Sequence, residues 1–317
     1  MPKPHQPGRG SMQFWPRKRS RHSTVRIRSW ATASKVKPLG FICYKAGMVH
    51  VMATDNRPKS LTKGETISFP VTIIDCPAMT VAGISFYKNG TNLRKITSIM
   101  AEKLGKEIAK KIKLSKKSPK KIEEIEFDDL RLLVHSNPKF VSNGDKKPKL
   151  LEIALSGSKE EKLAYAKDIL GKDLPVKSVF EQGELVDVHG VTKGKGFQGT
   201  VKRYGVPIKQ HKGEKIKRGI GNLGAWTPKR VDFHVPQPGK MGYHLRTEYN
   251  KQLIKIGEDG SEVTPKGGIT KYGVVKNNYL LVHGSVVGPR KRVIVLTAAT
   301  RPNKVMREAF EVTSIIK

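Results

Sequence analysis

Gly194-Lys195-Gly196-Phe197-Gln198-Gly199-Thr200-Val201 is the run most readily given a chemistry. It fits both the dinucleotide pattern G-x-G-x-x-G and the kinase loop G-x-G-x-x-G-x-V. The dinucleotide pattern needs a helix that opens at the glycines and points its N-terminus at a pyrophosphate. Here Thr-Val-Lys-Arg-Tyr-Gly-Val-Pro follows, which is poor helix material, and no Asp or Glu is placed to hold a ribose. The kinase pattern needs H-R-D and D-F-G, and only Asp232-Phe233-His234 comes near. Glycine has another use: it lets a backbone approach a ligand closely, in this setting a sugar–phosphate chain. His189, His211, His234 and His244 lie in or beside the same stretch, without a metal-site spacing such as H-E-x-x-H. They read as RNA contacts. Cys43 and Cys76 lack C-x-x-C spacing and read as small buried hydrophobes in strands. Nucleophile elbows of the form G-x-S-x-G are absent from the sequence.

Trp226 sits in Gly221-Asn222-Leu223-Gly224-Ala225-Trp226-Thr227-Pro228, between Lys217-Arg218 and Lys229-Arg230. Such a ring either joins a local cluster with Leu223 and Val231 or is presented to RNA at a loop tip. Stacking on a base is worth about 1–3 kcal/mol, which favours the second reading.

The charge supports a polyanionic partner. The 317 residues hold 61 Lys/Arg against 27 Asp/Glu, a net +34. A body so charged repels itself and attracts nucleic acid. Two cysteines exclude a disulfide-stapled secreted scaffold. The sequence has no apolar run of the roughly 18 residues a membrane helix needs and no signal-peptide pattern, so an intracellular, soluble protein is expected. The excess is uneven. Met1–Thr54 has 11 Lys/Arg and no Asp/Glu, Asn92–Glu184 has 21 against 15, and Val186–Gln252 has 14 against 4.

The elements that would carry these residues are mostly strands. Gly40–Tyr44 and Met48–Met52 flank Lys45-Ala46-Gly47 and predict a hairpin. Val71–Cys76, Val81–Tyr87, Leu185–His189, Leu280–Val282 and Arg292–Leu296 are further short runs rich in β-branched residues. They predict an antiparallel barrel or sandwich assembled from both ends of the chain. Ala101–Leu114 predicts a helix burying Leu104, Ile108 and Ile112. Ser158-Lys159-Glu160-Glu161 predicts a capping box ahead of Leu163, Ala166 and Leu170. Leu130–His135 and Leu150–Leu155 predict a strand pair between these helices. Gly190–Tyr243 holds 11 glycines and few aliphatics, too little to bury a core of its own. The expected class is mainly β with an α/β insertion. The expected segments are a basic N-terminal arm (1–37), a first barrel part (38–91), an α/β insertion (92–180), a barrel strand (181–189), a basic Gly/Lys-rich extension (190–279) and a closing barrel part (280–317). In the arm, Arg17, Lys18, Arg19, Arg21, Arg26 and Arg28 alternate with Phe14, Trp15 and Trp30, a mixture suited to phosphates and bases.

Five runs in order carry a resemblance. They are Gly10-Ser11-Met12-Gln13-Phe14-Trp15-Pro16-Arg17-Lys18-Arg19, Gly40–Met48, Asp187–Gly199, Gly224-Ala225-Trp226-Thr227-Pro228 and Gly284–Arg292. Together they resemble the large-ribosomal-subunit protein L-three family in its archaeal or eukaryote-like form, nearly end to end. Two places depart from the family pattern: Gln210–Lys215 stands where a K-T-H-R-G-type run is common, and Val287 replaces a common Pro.

The resemblance implies a split, translation-protein-like β-barrel body, with arms buried in rRNA. It implies no catalysis, early assembly of the large subunit in the cytoplasm, and a finger reaching toward the peptidyl-transferase centre with Trp226 at its tip. By resemblance the partners are large-subunit rRNA and neighbours such as the L-fourteen and L-twenty-four-e proteins. A membrane, a small-molecule substrate and a cofactor are not implied, beyond structural Mg2+ or K+ at the rRNA interface. The candidate RNA-binding set joins the six arm arginines and lysines to Lys193, Lys195, Phe197, Gln198, Lys202, Arg203, His211, Lys217, Arg218, Trp226, Lys229, Arg230, His244, Arg246, Arg290, Lys291 and Arg292. An RNA-modifying enzyme with a nucleotide cofactor in the glycine run is the alternative. A basic protein that compacts nucleic acid is the third reading.

Overall fold

The computed structural model of the chain describes residues 10–33, 35–102, 104–113, 125–213, 215–303 and 310–316. Along the chain run β1 (Gly40–Thr54), β2 (Thr66–Asp75), β3 (Met79–Lys88), β4 (Arg94–Met100), α1 (Lys106–Ala109), β5 (Asp129–Ser136), β6 (Leu150–Ala154), α2 (Lys159–Ile169) and β7 (Asp173–Leu174). After them come β8 (Leu185–Val191), β9 (Gly194–Gln198), α3 (Thr200–Tyr204), β10 (Gly239–Gly242), β11 (Leu245–Gly257), β12 (Tyr279–His283), β13 (Val293–Ala298) and β14 (Glu311–Ile316). The protein is mainly β. It divides into two compact units, Met1–Arg21 with Val191–Leu245 and His22–Gly190 with Arg246–Lys317.

The larger unit contains a sheet ordered β13-β8-β11-β12-β2-β1, and β1 pairs back onto β13, so six strands form a closed hydrogen-bonded circuit. Closure leaves those six strands no free edge to template aggregation. β1 makes it possible by serving three neighbours. Gly40–Tyr44 pair with β13, His50–Thr54 with β14, and Tyr44–Thr54 with β2. The predicted hairpin at Lys45–Gly47 is therefore not a turn. The strand runs through, and the register shifts between Lys45 and Gly47 instead. Such a bulge bends a strand without ending it. Gly47 is there for packing, since a Cβ would lie 2.8 Å from Ile269 Cγ2. Lys45 is buried at the bulge and donates its ammonium protons to the carbonyls of Val286 and Gly288.

A second sheet of the same unit runs β4-β3-β5-β6, with β7 on β3. Val81–Tyr87, grouped on sequence with the first barrel part, belongs here, because β3 pairs with β4 and β5 and not with β2. The predicted 130–135 and 150–155 pair forms as β5 and β6. The capping box at α2 forms as well. Ser158 Oγ accepts from Glu161 N–H at 3.4 Å, and Glu161 Oε2 accepts from Ser158 N–H at 2.9 Å. The Ala101–Leu114 helix is much shorter than predicted. Regular helix covers only Lys106–Ala109, with Ile108 as its buried residue, and Leu114 lies outside the described residues. Gly105 stands at the N-cap without a side-chain acceptor, which starts the helix late and weakly.

Both cysteines are buried and free, as predicted. Several buried polar groups in the larger unit are paired across long sequence separations. Asp75 accepts from Tyr272 O–H at 2.6 Å and from Asn277 Nδ2 at 2.9 Å, while burial raises its pKa above the usual carboxylate range. Asp187 accepts from Asn250 N–H, Thr300 N–H and Thr300 O–H at 2.7–3.0 Å. His189, read on sequence as an RNA contact, is instead held between the hydroxyls of Thr247 (2.9 Å) and Thr297 (3.0 Å). Burial lowers its pKa.

Two outcomes follow from this pairing. Tyr272→Phe removes a donor from a buried carboxyl group and is expected to cost about 1–3 kcal/mol, read as a lower urea midpoint. The His189 pKa is lower folded than unfolded, so its contribution to stability is complete above the unfolded value near 6.5 and fades as pH falls. Between pH 8 and pH 5 the wild type is expected to lose more stability in urea titrations than His189→Gln does.

Candidate nucleic-acid interface

The smaller unit, Met1–Arg21 with Val191–Leu245, carries 18 Lys/Arg against 2 Asp/Glu, a net +16 of the chain's +34 in 76 residues. It is built on a two-stranded ribbon, β9 against β10, in the register Gly239↔Gln198, Lys240↔Phe197 and Gly242↔Gly194. Gly242 has a φ of +78°, and a Cβ there would stand 2.1 Å from the Lys193 carbonyl, so only glycine closes the ribbon. The glycine run is thus one strand of a ribbon, not the start of a long helix. A single helical turn, α3, does open at Gly199, where the sequence predicted none, and Gly205 ends it in the left-handed conformation. One turn is local backbone economy, and it leaves Lys202 exposed and Arg203 half-buried.

The N-terminal arm is tied to this ribbon by main-chain groups. Ser20 N–H donates to the Tyr243 carbonyl at 2.7 Å. His244 sits at the junction and is buried. Its Nδ1 lies 2.9 Å from the Lys18 carbonyl, and its Nε2 accepts from Gly242 N–H at 3.1 Å. Those two contacts assign the proton to Nδ1. His244, predicted to face RNA, spends both ring nitrogens inside the chain. Trp15 packs its ring 5.4 Å from Tyr204, 6.2 Å from Phe233 and 5.9 Å from His234. Sequence reasoning missed Tyr204 as its partner, because nothing local links positions 15 and 204.

The rest of the smaller unit is open. Trp226 is 82% exposed, Phe233 74% and Phe197 71%. Leu223 and Val231 are exposed too, so the local cluster that could have buried Trp226 does not form. The loop around Trp226 is shaped by short-range bonds. Asn222 Oδ1 accepts from Gly224 N–H at 2.9 Å, the Trp226 carbonyl accepts from Lys229 N–H at 2.8 Å, and the Lys229 ammonium lies 5.7 Å from the indole centroid. Thr200 O–H donates to the Arg218 carbonyl at 3.2 Å, anchoring the backbone while the Arg218 side chain stays exposed. Asp232 accepts from the backbone N–H and ring Nδ1 of His234, which hold its pKa below the usual range.

Seventeen of the candidate residues fall in this unit: Arg17, Lys18, Arg19, Arg21, Lys193, Lys195, Phe197, Gln198, Lys202, Arg203, His211, Lys217, Arg218, Trp226, Lys229, Arg230 and His244. Lys193, Lys195, His211, Lys217 and Arg230 are exposed, and Gln198 donates its amide to the Lys195 carbonyl at 2.5 Å. The other six are in the larger unit. Arg26 and Arg28 are exposed on an extended segment whose alternate residues, Val25 and Ile27, are buried. Arg246 and Arg292 are half-buried, while Lys291 is exposed and Arg290 donates to the Thr270 carbonyl. A cleft of about 1700 Å³ lies beside Arg26 and Arg28, lined also by Lys95, Arg131, Lys149 and Glu152. Burial would raise the Glu152 pKa, but Lys95 at 2.8 Å and the Tyr87 hydroxyl outweigh it, and the carboxylate stays ionised.

Among the described residues no group of three or more His, Cys, Asp and Glu side chains converges as a metal site would require. The arrangement is a basic, glycine-rich surface with exposed rings, suited to phosphates and unpaired bases.

Comparison with known proteins identifies the family. A family model for ribosomal protein L3 matches residues 1–129 and 119–315. The large ribosomal subunit protein uL3 of Methanocaldococcus jannaschii is 48% identical over 322 residues, covering 98% of this chain and 96% of the relative. That of Methanococcus vannielii is 46% identical over 325 residues, covering 99% and 97%. That of Methanothrix thermoacetophila is 43% identical over 310 residues, covering 94% and 92%. With basic residues gathered on a coreless ribbon and relatives aligned almost end to end, the chain belongs to the ribosomal protein L3 family.

Proposed function

We propose that the protein is a structural, non-catalytic constituent of the large ribosomal subunit in the cytoplasm, bound to large-subunit rRNA. The observation that carries this is the near end-to-end likeness to proteins that are themselves named for the large subunit. On this reading the closed six-strand circuit is the split barrel body of the family. The smaller unit is the part that enters rRNA. Its net +16 repels itself until phosphates neutralise it, so binding and ordering are coupled. Gly196, with a φ of +67° and open space around its Cα, lets the ribbon backbone come within contact of a sugar–phosphate chain.

The protein acts early in assembly, and the L-fourteen and L-twenty-four-e proteins are its neighbours. No cofactor is proposed, beyond structural Mg2+ or K+ held at the rRNA interface. Trp226, at an exposed loop tip between cationic pairs, is the finger reaching toward the peptidyl-transferase centre, where it acts on aminoacyl-tRNA accommodation. The alternative enzyme reading finds no support in the glycine run, which forms a ribbon strand and one helical turn.

The direct test is sedimentation of a cell extract through sucrose before and after a high-salt wash. Stoichiometric migration with the large subunit after the wash is expected, and recovery only at the top of the gradient would overturn the proposal. Two variants separate binding from function. Arg218→Glu is expected to reduce incorporation into subunits, by roughly tenfold in rRNA affinity for one reversed phosphate contact. Trp226→Ala is expected to leave incorporation unchanged and to slow tRNA accommodation in a single-turnover assay; unchanged accommodation would remove the role assigned to the tip.

A further inference from the structure

Two guanidinium groups of the smaller unit are gathered on one ring. Arg17 Cζ lies 4.3 Å from the centroid of Tyr204, and Arg203 Cζ lies 5.1 Å from it. Both side chains are held in place. Arg203 Nη1 donates to the Gln237 carbonyl at 2.8 Å, and its guanidinium lies so flat on Gly239 that a Cβ there would be 2.8 Å from Nη1. Arg17 also stacks on Trp15 at 5.7 Å and points Nη2 at the Ser11 carbonyl. Both half-buried cations are thus held by the Tyr204 ring and by backbone carbonyls.

Among the described residues neither arginine forms an ion pair. The unit's two acids are Glu214, outside the described residues, and Asp232, which is engaged by His234. Three donors in this cluster, Arg17 Nη1, Arg203 Nε and Trp15 Nε1, are enclosed without an acceptor from the protein. Enclosed donors without acceptors are costly, and guanidinium forks match tetrahedral oxyanions. A positively charged cluster with three unsatisfied donors and no carboxylate partner among the described residues calls for an anion with several oxygens.

We propose that Arg17 and Arg203, oriented by Tyr204 and assisted by Trp15, form one binding site for a single backbone phosphate of RNA. The site couples the N-terminal arm to the extension, because one phosphodiester accepts hydrogen bonds from residues 186 positions apart in sequence. It rests on the reading that this chain binds rRNA, and it adds which side chains share a phosphate and why the arm is folded onto α3.

The test uses the full-length chain and large-subunit rRNA, with phosphate ethylation interference as readout. Wild-type binding is expected to be blocked by ethylation at one phosphate to which both Arg17→Gln and Arg203→Gln become insensitive. Each variant is expected to bind about tenfold more weakly. The double variant should fall short of the product of the single effects, because both residues serve one group. Arg17→Lys keeps the charge but not the fork and should retain only part of the affinity. Tyr204→Phe keeps the ring and controls for folding by circular dichroism. Insensitivity at two different phosphates, or multiplicative losses, would overturn the shared site. Unchanged interference in both Gln variants would overturn it as well. Failure of the wild type to bind rRNA at all would instead overturn the ribosomal reading.

Discussion

Eighteen cationic side chains and two acids share 76 residues of the smaller unit, and mutual repulsion at that density is the constraint around which the rest of the chain is arranged. An ordinary domain offsets such repulsion by burying apolar surface. Here several large apolar residues, among them Phe197, Ile216, Trp226 and Phe233, are exposed instead. What order the unit has comes from backbone pairing in β9–β10, from glycines that let strands and side chains approach, and from the stack of Trp15, Arg17, Arg203 and Tyr204. These fix local shape without neutralising charge. On the proposed reading the neutralising charge is that of an RNA phosphodiester backbone.

The larger unit answers the opposite problem. Its segments carry a more balanced charge, and its core is apolar, with Phe41, Tyr44, Ile73, Leu280, Leu281 and Ile294 fully enclosed. Strands from both halves of the chain close the circuit, β1 and β2 from one and β11, β12 and β13 from the other. β8 and β11 are the strands from which the basic extension leaves and to which it returns. A long coreless loop is tolerable when its two ends are anchored in such a sheet, because closing the loop costs entropy that grows only slowly with length. The buried polar pairs, Asp75 with Tyr272 and Asp187 with Thr300, join residues about 197 and 113 positions apart and so tie the circuit where chain ends meet.

Histidine illustrates how position overrides residue type. His189, His234 and His244 belong to one glycine- and lysine-rich neighbourhood of the sequence. His189 bridges two threonine hydroxyls in the larger unit, His244 bridges the arm and ribbon backbones, and His234 caps Asp232 near Trp15. An imidazole has two addressable nitrogens, and each of these rings has spent at least one of them on the fold itself.

Much was legible in the residues alone. Net charge and its uneven distribution pointed to a polyanion, because charge is additive and needs no coordinates. Alternating β-branched runs marked most strands, and Ser158-x-x-Glu161 marked the start of α2, because both signals act within a few residues. Trp226, in a glycine-rich loop with Leu223 and Val231 as its nearest large aliphatics, was legible as a candidate exposed ring for the same reason. Only the tertiary structure decided that Gly47 bends one long strand rather than turning a hairpin, that β3 joins the second sheet, that Trp15 and Arg17 meet Tyr204, and which histidines face inward. Each of those depends on contacts between residues far apart in sequence. Local pattern says that a strand or a ring will bury a face, but the partner that covers it is set by how the whole chain closes.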